Sequence, residues 1–152
     1  MERSGSQKVL LVLSILNIIL AAFVILASLL TIAGGALVGA VPAEEVADSL
    51  AETGLTQGQA SAAFSAIGLV ILIPGALMLL VGILGVRAAN NNQKIMPVWV
   101  LSVISLVMWV ISIVIAVMNG TVGTDIAPNL VSIAIAVLTF WIANNIKREA
   151  GK

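Results

Sequence analysis

Long uncharged, apolar stretches alternate with short charged clusters along this chain. The uncharged stretches cover residues 9–40, 53–86, 95–124 and 126–146. A helix needs about 20 apolar residues to cross the hydrocarbon core of a bilayer, and each stretch supplies that length. Strands are disfavoured, because the apolar residues run continuously and do not alternate with polar ones. The pattern predicts a single all-α membrane domain over residues 1–152, with spans at about residues 9–39, 60–86, 95–118 and 126–146.

Residues 40–59 form the one sizeable segment between predicted spans. Pro42, followed directly by acidic residues, favours the start of a helix. Val46 and Leu50 then recur at helical spacing, and Gly54 is suited to ending such a helix. The pattern predicts a short amphipathic helix in this loop.

Local signals support the helical reading of the spans. Thr56 and Gln59 match a capping box at the start of the second span. Trp99 and Trp141 lie about one turn from the ends of their spans, at the level where amphipathic rings favour the headgroups. Pro74 lies in the middle of the second span, where we expect it to kink the helix.

The distribution of charge predicts the orientation. The basic residues lie before the first span, between the second and third, and after the fourth: Arg3, Lys8, Arg87, Lys94, Lys147, Arg148 and Lys152. Five of the seven acidic residues lie in the other two loops. Since Lys and Arg are enriched in cytoplasmic loops, we expect a multi-pass protein of the cell membrane with both termini in the cytoplasm.

Each predicted span carries a stripe of small or weakly polar residues at heptad spacing. Helices in lipid associate through close packing at such residues and through interhelical hydrogen bonds. A period of seven selects left-handed crossing, so the stripes predict a left-handed antiparallel four-helix bundle. We call these positions the seam: Ser14, Asn17, Ala21, Ser28, Gly35, Gly68, Gly75, Gly82, Ser105, Trp109, Ser112, Ser132, Ala136 and Thr139.

Three roles are open for the seam. It can be the packed core of the bundle, the surface that joins protomers through Gly68, Gly75 and Gly82, or the lining of a hydrated path. We favour packing, because the seam residues are small first and polar only second. Asn17 is the most polar group near the middle of a span. We expect its amide to bond across a helix interface, with contact to a substrate or ion as the alternative.

Glu44, Asp48 and Glu52 recur every four residues and share one face of the predicted loop helix. They form a possible acidic patch, either a weak cation site or a docking surface. The interspersed glycine and carbonyl ligands of a calcium loop are missing. We favour a solvated polar face opposite Val46 and Leu50.

Composition excludes several kinds of chemistry. The chain is 61% hydrophobic and 9% charged, with no net charge and neither cysteine nor histidine. No ionisable residue lies in a predicted span, whereas proton relays and ion-coupled transport rest on such residues. We therefore expect no catalytic residue, metal or cofactor site, no nucleic-acid binding and no identifiable small-molecule substrate.

The stretch Leu80–Asn91, followed by Lys94 and a third span, resembles the inner turn of tetraspanin-type four-span proteins. The order of the loops, with the larger outer loop first, is similar to that of the claudin group. The resemblance is architectural, covers the four spans, and implies a small, tetraspan-like bacterial membrane protein. The chain lacks the tetraspanin cysteines and the claudin Trp/Gly/Leu/Cys signature, and its outer loop is shorter, so no functional residue carries over.

Together these features predict a non-enzymatic membrane scaffold or accessory protein. We expect it to associate laterally with itself, as a homo-oligomer, or with another membrane protein. A passive pore or small-solute channel within an oligomer is the alternative, and a holin-like lesion former is a weaker third.

Overall fold

Four long helices and three short helical segments account for the regular structure of the described residues. The computed structural model describes residues 4–51, 53–125 and 129–150. No strand occurs in these ranges. The segments are α1 (Gly5–Ala40), α2 (Ala43–Ala51), α3 (Gln57–Asn90), a 3-10 turn (Asn92–Lys94), α4 (Ile95–Asn119), α5 (Val122–Asp125) and α6 (Leu130–Ala150).

The long helices correspond to the four predicted spans. Helices α1, α3, α4 and α6 contain 36, 34, 25 and 21 residues, and each is long and apolar enough to cross a membrane. The prediction of an all-helical, multi-pass membrane protein is therefore confirmed. The cytoplasmic termini, the left-handed antiparallel bundle and the single domain stay predictions.

Side chains and glycines define the helix ends as the sequence indicates. Thr56 and Gln59 form the predicted capping box: Gln59 N–H donates to Thr56 Oγ1 at 3.3 Å, and Thr56 N–H donates to Gln59 Oε1 at 3.0 Å. Ser4 and Gln7 make the same reciprocal pair at the start of α1. Gly54 has a φ of 65° and donates its N–H to the Leu50 carbonyl, as expected after the end of α2.

The chain divides into two compact units, and the division passes through α1 and α3. Unit 1 comprises residues 1–19 and 77–152. Its α4 and α6 pack against each other. It contains a cluster of buried apolar side chains drawn from the beginning of α1, the end of α3, the beginning of α4 and the end of α6: Leu10, Leu13, Ala88, Ala89, Ile95, Val98, Ile142, Ala143 and Ile146.

Unit 2 comprises residues 20–76. Its parts of α1 and α3 pack in opposite directions, because Gly35 lies beside Ser61 whereas Ser28 lies beside Gly68. Helix α2 occupies the predicted position in the loop, with its acidic residues exposed. Pro74 lies inside a continuous α3, and the kink stays a prediction.

Candidate functional site

In unit 2, the seam residues lie where α1 and α3 approach most closely. Ser28 is fully buried, and its hydroxyl donates to the Gly68 carbonyl across the helix pair at 2.8 Å. A Cβ at Gly68 would lie 2.9 Å from the Ser28 carbonyl oxygen and 3.0 Å from the Ile32 nitrogen. Both are backbone atoms, so no side-chain rotation could make room. The lack of a side chain at Gly68 thus permits both the close approach and the hydrogen bond.

Two further seam glycines in unit 2 are enclosed in the same way. A Cβ at Gly35 would lie 2.8 Å from the Ser61 carbonyl oxygen. A Cβ at Gly75 would meet side-chain atoms of Val24 at 3.0 Å and Ile25 at 3.1 Å. All the seam residues of this unit are buried: Ala21, Ser28, Gly35, Gly68 and Gly75.

In unit 1, Ser14 and Gly82 continue the pattern. Ser14 is fully buried, and its hydroxyl donates to the Leu10 carbonyl one turn earlier at 2.6 Å. A Cβ at Gly82 would lie 2.9 Å from the Ser14 carbonyl oxygen. Gly85, which the seam does not include, faces the same serine even more closely, and a Cβ there would overlap the Ser14 hydroxyl.

The Asn17 amide bridges two helices of unit 1. The residue is 5% exposed, and its Nδ2 donates to the Leu13 carbonyl at 3.1 Å and to Thr139 Oγ1 on α6 at 3.4 Å. Thr139, also a seam residue, is 1% exposed. The pair therefore forms a buried hydrogen bond between α1 and α6.

The seam residues of α4 and α6 lie in more varied places. Ser105 and Trp109 on α4 are half-buried, as are Ser132 and Ala136 on α6, whereas Ser112 on α4 is exposed. The buried residues of α6 are Ile135, Thr139, Ile142, Ala143 and Ile146.

The second half of α4 is largely exposed in the part of the chain that the structure describes. Of residues 107–119, Ala116 alone is buried. The exposed side chains are large and apolar: Val107, Met108, Val110, Ile111, Val114, Ile115, Val117 and Met118. Ser112 interrupts this apolar surface with a hydroxyl group. The second half of α4 thus presents an apolar outer surface that contains one hydroxyl group.

Polar groups gather around Trp99 at the beginning of α4. The Lys147 ammonium lies 3.5 Å from the centre of the indole ring, which is a cation–π contact. The indole Nε1 and the Ser102 hydroxyl are buried without a hydrogen-bond partner among the described residues. The contact fastens the end of α6 to the beginning of α4.

The loop between α1 and α3 is fastened by Gln57, a residue that sequence reasoning missed. Its side-chain amide donates to the Val38 carbonyl at 2.7 Å and to the Val41 carbonyl at 2.6 Å. These are carbonyls at the end of α1, where the helix has no further N–H to offer. The sequence feature that corresponds to this contact is a glutamine at the first position of α3.

The structure describes two of the three residues of the acidic patch. Glu44 and Asp48 are exposed on α2, and Glu52 lies outside the described residues. Among the described residues, no group of three or more Asp, Glu, Cys or His side chains is placed to hold a metal ion. A cation site on this face stays a hypothesis.

Comparison of the chain with protein-family models, with curated proteins and with solved structures finds no match in any of the three.

Proposed function

We propose that the chain is a non-enzymatic integral membrane scaffold or accessory protein that associates laterally with a second copy of itself or with another membrane protein. The proposal places it in the cell membrane, with both termini in the cytoplasm. The charge distribution supports this orientation, because every basic residue of the chain lies on one side of a four-span arrangement.

The uncovered second half of α4 carries the proposal. Seam residues of α1 and α3 are buried by contacts within the chain, whereas the α4 seam leads from half-buried Ser105 and Trp109 to exposed Ser112. Lipid is as apolar as leucine, so the large apolar side chains of this surface suit lipid and a neighbouring helix equally, and exposed Ser112 is the residue that favours contact with another helix. A hydroxyl at an exposed position in a span gains a hydrogen bond only from such a neighbour or from its own backbone.

The alternative of a passive pore receives less support. A polar lumen needs side chains free to face water, but all four hydroxyl and amide side chains of the first predicted span are hydrogen-bonded. Ser14 and Thr31 bond to carbonyls of their own helix, Ser28 bonds to Gly68, and Asn17 bonds to Thr139. This arrangement favours dry packing over a hydrated path.

Disulfide trapping tests the proposal, because the natural chain contains no cysteine. Ser112→Cys in proteoliposomes should yield a covalent dimer on oxidation. Val110→Cys is the matched control, since it is exposed on the same helix, about 200° away around the axis. Equal trapping at both positions would indicate random collision, and no trapping at Ser112 would refute self-association through α4.

Ion flux separates the scaffold from the pore. Proteoliposomes of the unmodified protein should show no proton- or sodium-driven uptake and no conductance above that of empty vesicles. A robust conductance that disappears in Asn17→Leu, while that variant still assembles, would favour the pore and overturn the scaffold.

A further inference from the structure

A groove lies in unit 2 between α2 and the adjoining ends of α1 and α3. Its volume is about 390 Å³, which falls within the range of pockets that hold small ligands. Val38 of α1, Val46 and Leu50 of α2, and Phe64 and Ile67 of α3 line it. We call it the loop groove.

The loop groove has the chemistry of a hydrocarbon site. Its lining is almost entirely apolar, with hydroxyls only from Ser49 and Thr53. The Thr53 hydroxyl already donates to the Leu50 carbonyl at 2.8 Å. A polar solute would lose hydration there without gaining hydrogen bonds. An alkyl chain has no hydrogen bonds to lose on entering the groove. Helices α1 and α3 are both long enough to bring the groove beside lipid.

Charge around the loop groove limits the headgroup that such a chain can carry. Residues 20–76 contain four acidic residues and no basic one, which gives this unit a net charge of −4. Glu45 is exposed on α2 one turn before the groove-lining Ser49, whereas Glu44 and Asp48 are exposed on the side of α2 opposite the groove-lining Val46 and Leu50. An anionic headgroup would be repelled there, whereas an ammonium group would be attracted to the carboxylates and could donate hydrogen bonds to them.

We propose that the loop groove binds one acyl chain of a phospholipid whose headgroup carries an ammonium group, with that ammonium near the Glu45 carboxylate at the edge of the groove. Phosphatidylethanolamine has this chemistry, because its ammonium N–H groups can donate to the oxygens of a carboxylate. The proposal needs only that the protein resides in a membrane, and it is independent of lateral association.

Native mass spectrometry of the full chain in detergent, with phosphatidylethanolamine and phosphatidylglycerol of the same chain length added in equal amounts, tests the proposal. The unmodified protein should retain one phosphatidylethanolamine, with a preference of about fivefold over phosphatidylglycerol. That is the size expected for one or two exposed ion pairs. Equal retention of the two lipids would overturn the headgroup assignment.

Two adjacent alanines of α3 provide matched variants. Ala62 and Ala63 are both exposed, but only Ala63 lines the loop groove. Ala63→Phe should fill the groove and lower lipid retention about tenfold, whereas Ala62→Phe should leave it unchanged. Circular dichroism of both variants checks that they remain folded. Equal retention in the two variants would refute the site, and a dimer lost only in Ala63→Phe would assign the groove to a second copy of the chain.

A third variant tests the carboxylates and leaves the groove itself intact. Glu44→Gln, Glu45→Gln and Asp48→Asn together alter only exposed groups. This variant should still retain one lipid but should no longer distinguish the two headgroups. A preference that survives neutralisation would show that the carboxylates do not select the lipid.

Discussion

Replacing Gly68 with alanine should separate α1 from α3 in unit 2. The added Cβ would lie 2.5 Å from Ile32 Cγ1, 2.9 Å from the Ser28 carbonyl oxygen and 3.0 Å from the Ile32 nitrogen. Overpacking of this kind costs about 1–3 kcal/mol. Separation also lengthens the 2.8 Å hydrogen bond from the Ser28 hydroxyl to the Gly68 carbonyl. The loss of this bond destabilises the fold further, by about 0.6 kcal/mol and by at most about 1.7 kcal/mol. The higher helix propensity of alanine returns about 1 kcal/mol, so the free energy of unfolding should fall by about 2 kcal/mol.

Gly34→Ala is the matched control, because nothing lies within 4 Å of a Cβ at that position on α1. It should be neutral or stabilising by up to about 1 kcal/mol. Gly75→Ala should fall between the two, since a Cβ at Gly75 mainly meets side-chain atoms of Val24 and Ile25 that can shift. SDS titration of the protein in mixed micelles, followed by tryptophan emission, gives the free energies. If Gly68→Ala proved as stable as Gly34→Ala, the assignment of a close backbone contact at Gly68 would be wrong.

Two further predictions concern orientation and the buried amide. Single cysteines at exposed Ser49 and Asn91 should react with an impermeant maleimide from opposite sides of an intact membrane, Ser49 from outside; labelling of both from outside would end the orientation model. Thr139→Val should lower the free energy of unfolding by about 0.6 kcal/mol, and at most about 1.7, because it removes the acceptor of the Asn17 amide. Thr31→Val should lower the free energy of unfolding by less, since the Thr31 hydroxyl bonds to the Ala27 carbonyl of its own helix. Equal losses for the two variants in the same SDS titration would contradict an interhelical role for Thr139.

Glycine and serine are conspicuous in an apolar span, so sequence reasoning could single them out as candidates for helix contacts. Ser28, Gly35, Gly68 and Gly75 all fall on buried positions of α1 and α3. The physical basis is general: in lipid, close approach of backbones needs small residues, so the pattern of small residues marks the contact.

The same reasoning missed the apolar cluster of unit 1. Leu10, Ile95, Val98 and Ile146 are almost completely buried there, yet they are chemically the same as the side chains that face lipid. In a soluble protein, hydrophobicity would distinguish the buried side chains from those that face the solvent. In a membrane the solvent is itself apolar, so a buried leucine and a lipid-facing leucine leave the same pattern.

Helix α6 shows the consequence of that ambiguity. Its most enclosed positions include Ile135 and Ile142, whereas the seam residues Ser132 and Ala136 are only half-buried. The loop groove was also beyond prediction, since it requires Val46 and Leu50 of α2 to face residues of two other helices. The amphipathic pattern indicated that α2 has an apolar face. It did not indicate that a groove would remain between this face and the ends of α1 and α3.

The unequal lengths of the helices bear on the thickness of the bilayer that suits this protein. At 1.5 Å per residue, the 36 residues of α1 extend about 54 Å and the 21 residues of α6 about 32 Å. The hydrocarbon core is about 30 Å thick, and the uncharged part of α6, residues 130–146, extends about 26 Å, slightly less than that thickness. The uncharged part of α1, residues 9–40, extends about 48 Å. Tilting alone would have to reach about 50° to fit it into the core, beyond the usual range of about 0–40°. The lipid beside α1 should therefore be stretched relative to the lipid beside α6, and the protein should partition into thicker membrane regions when a choice is offered.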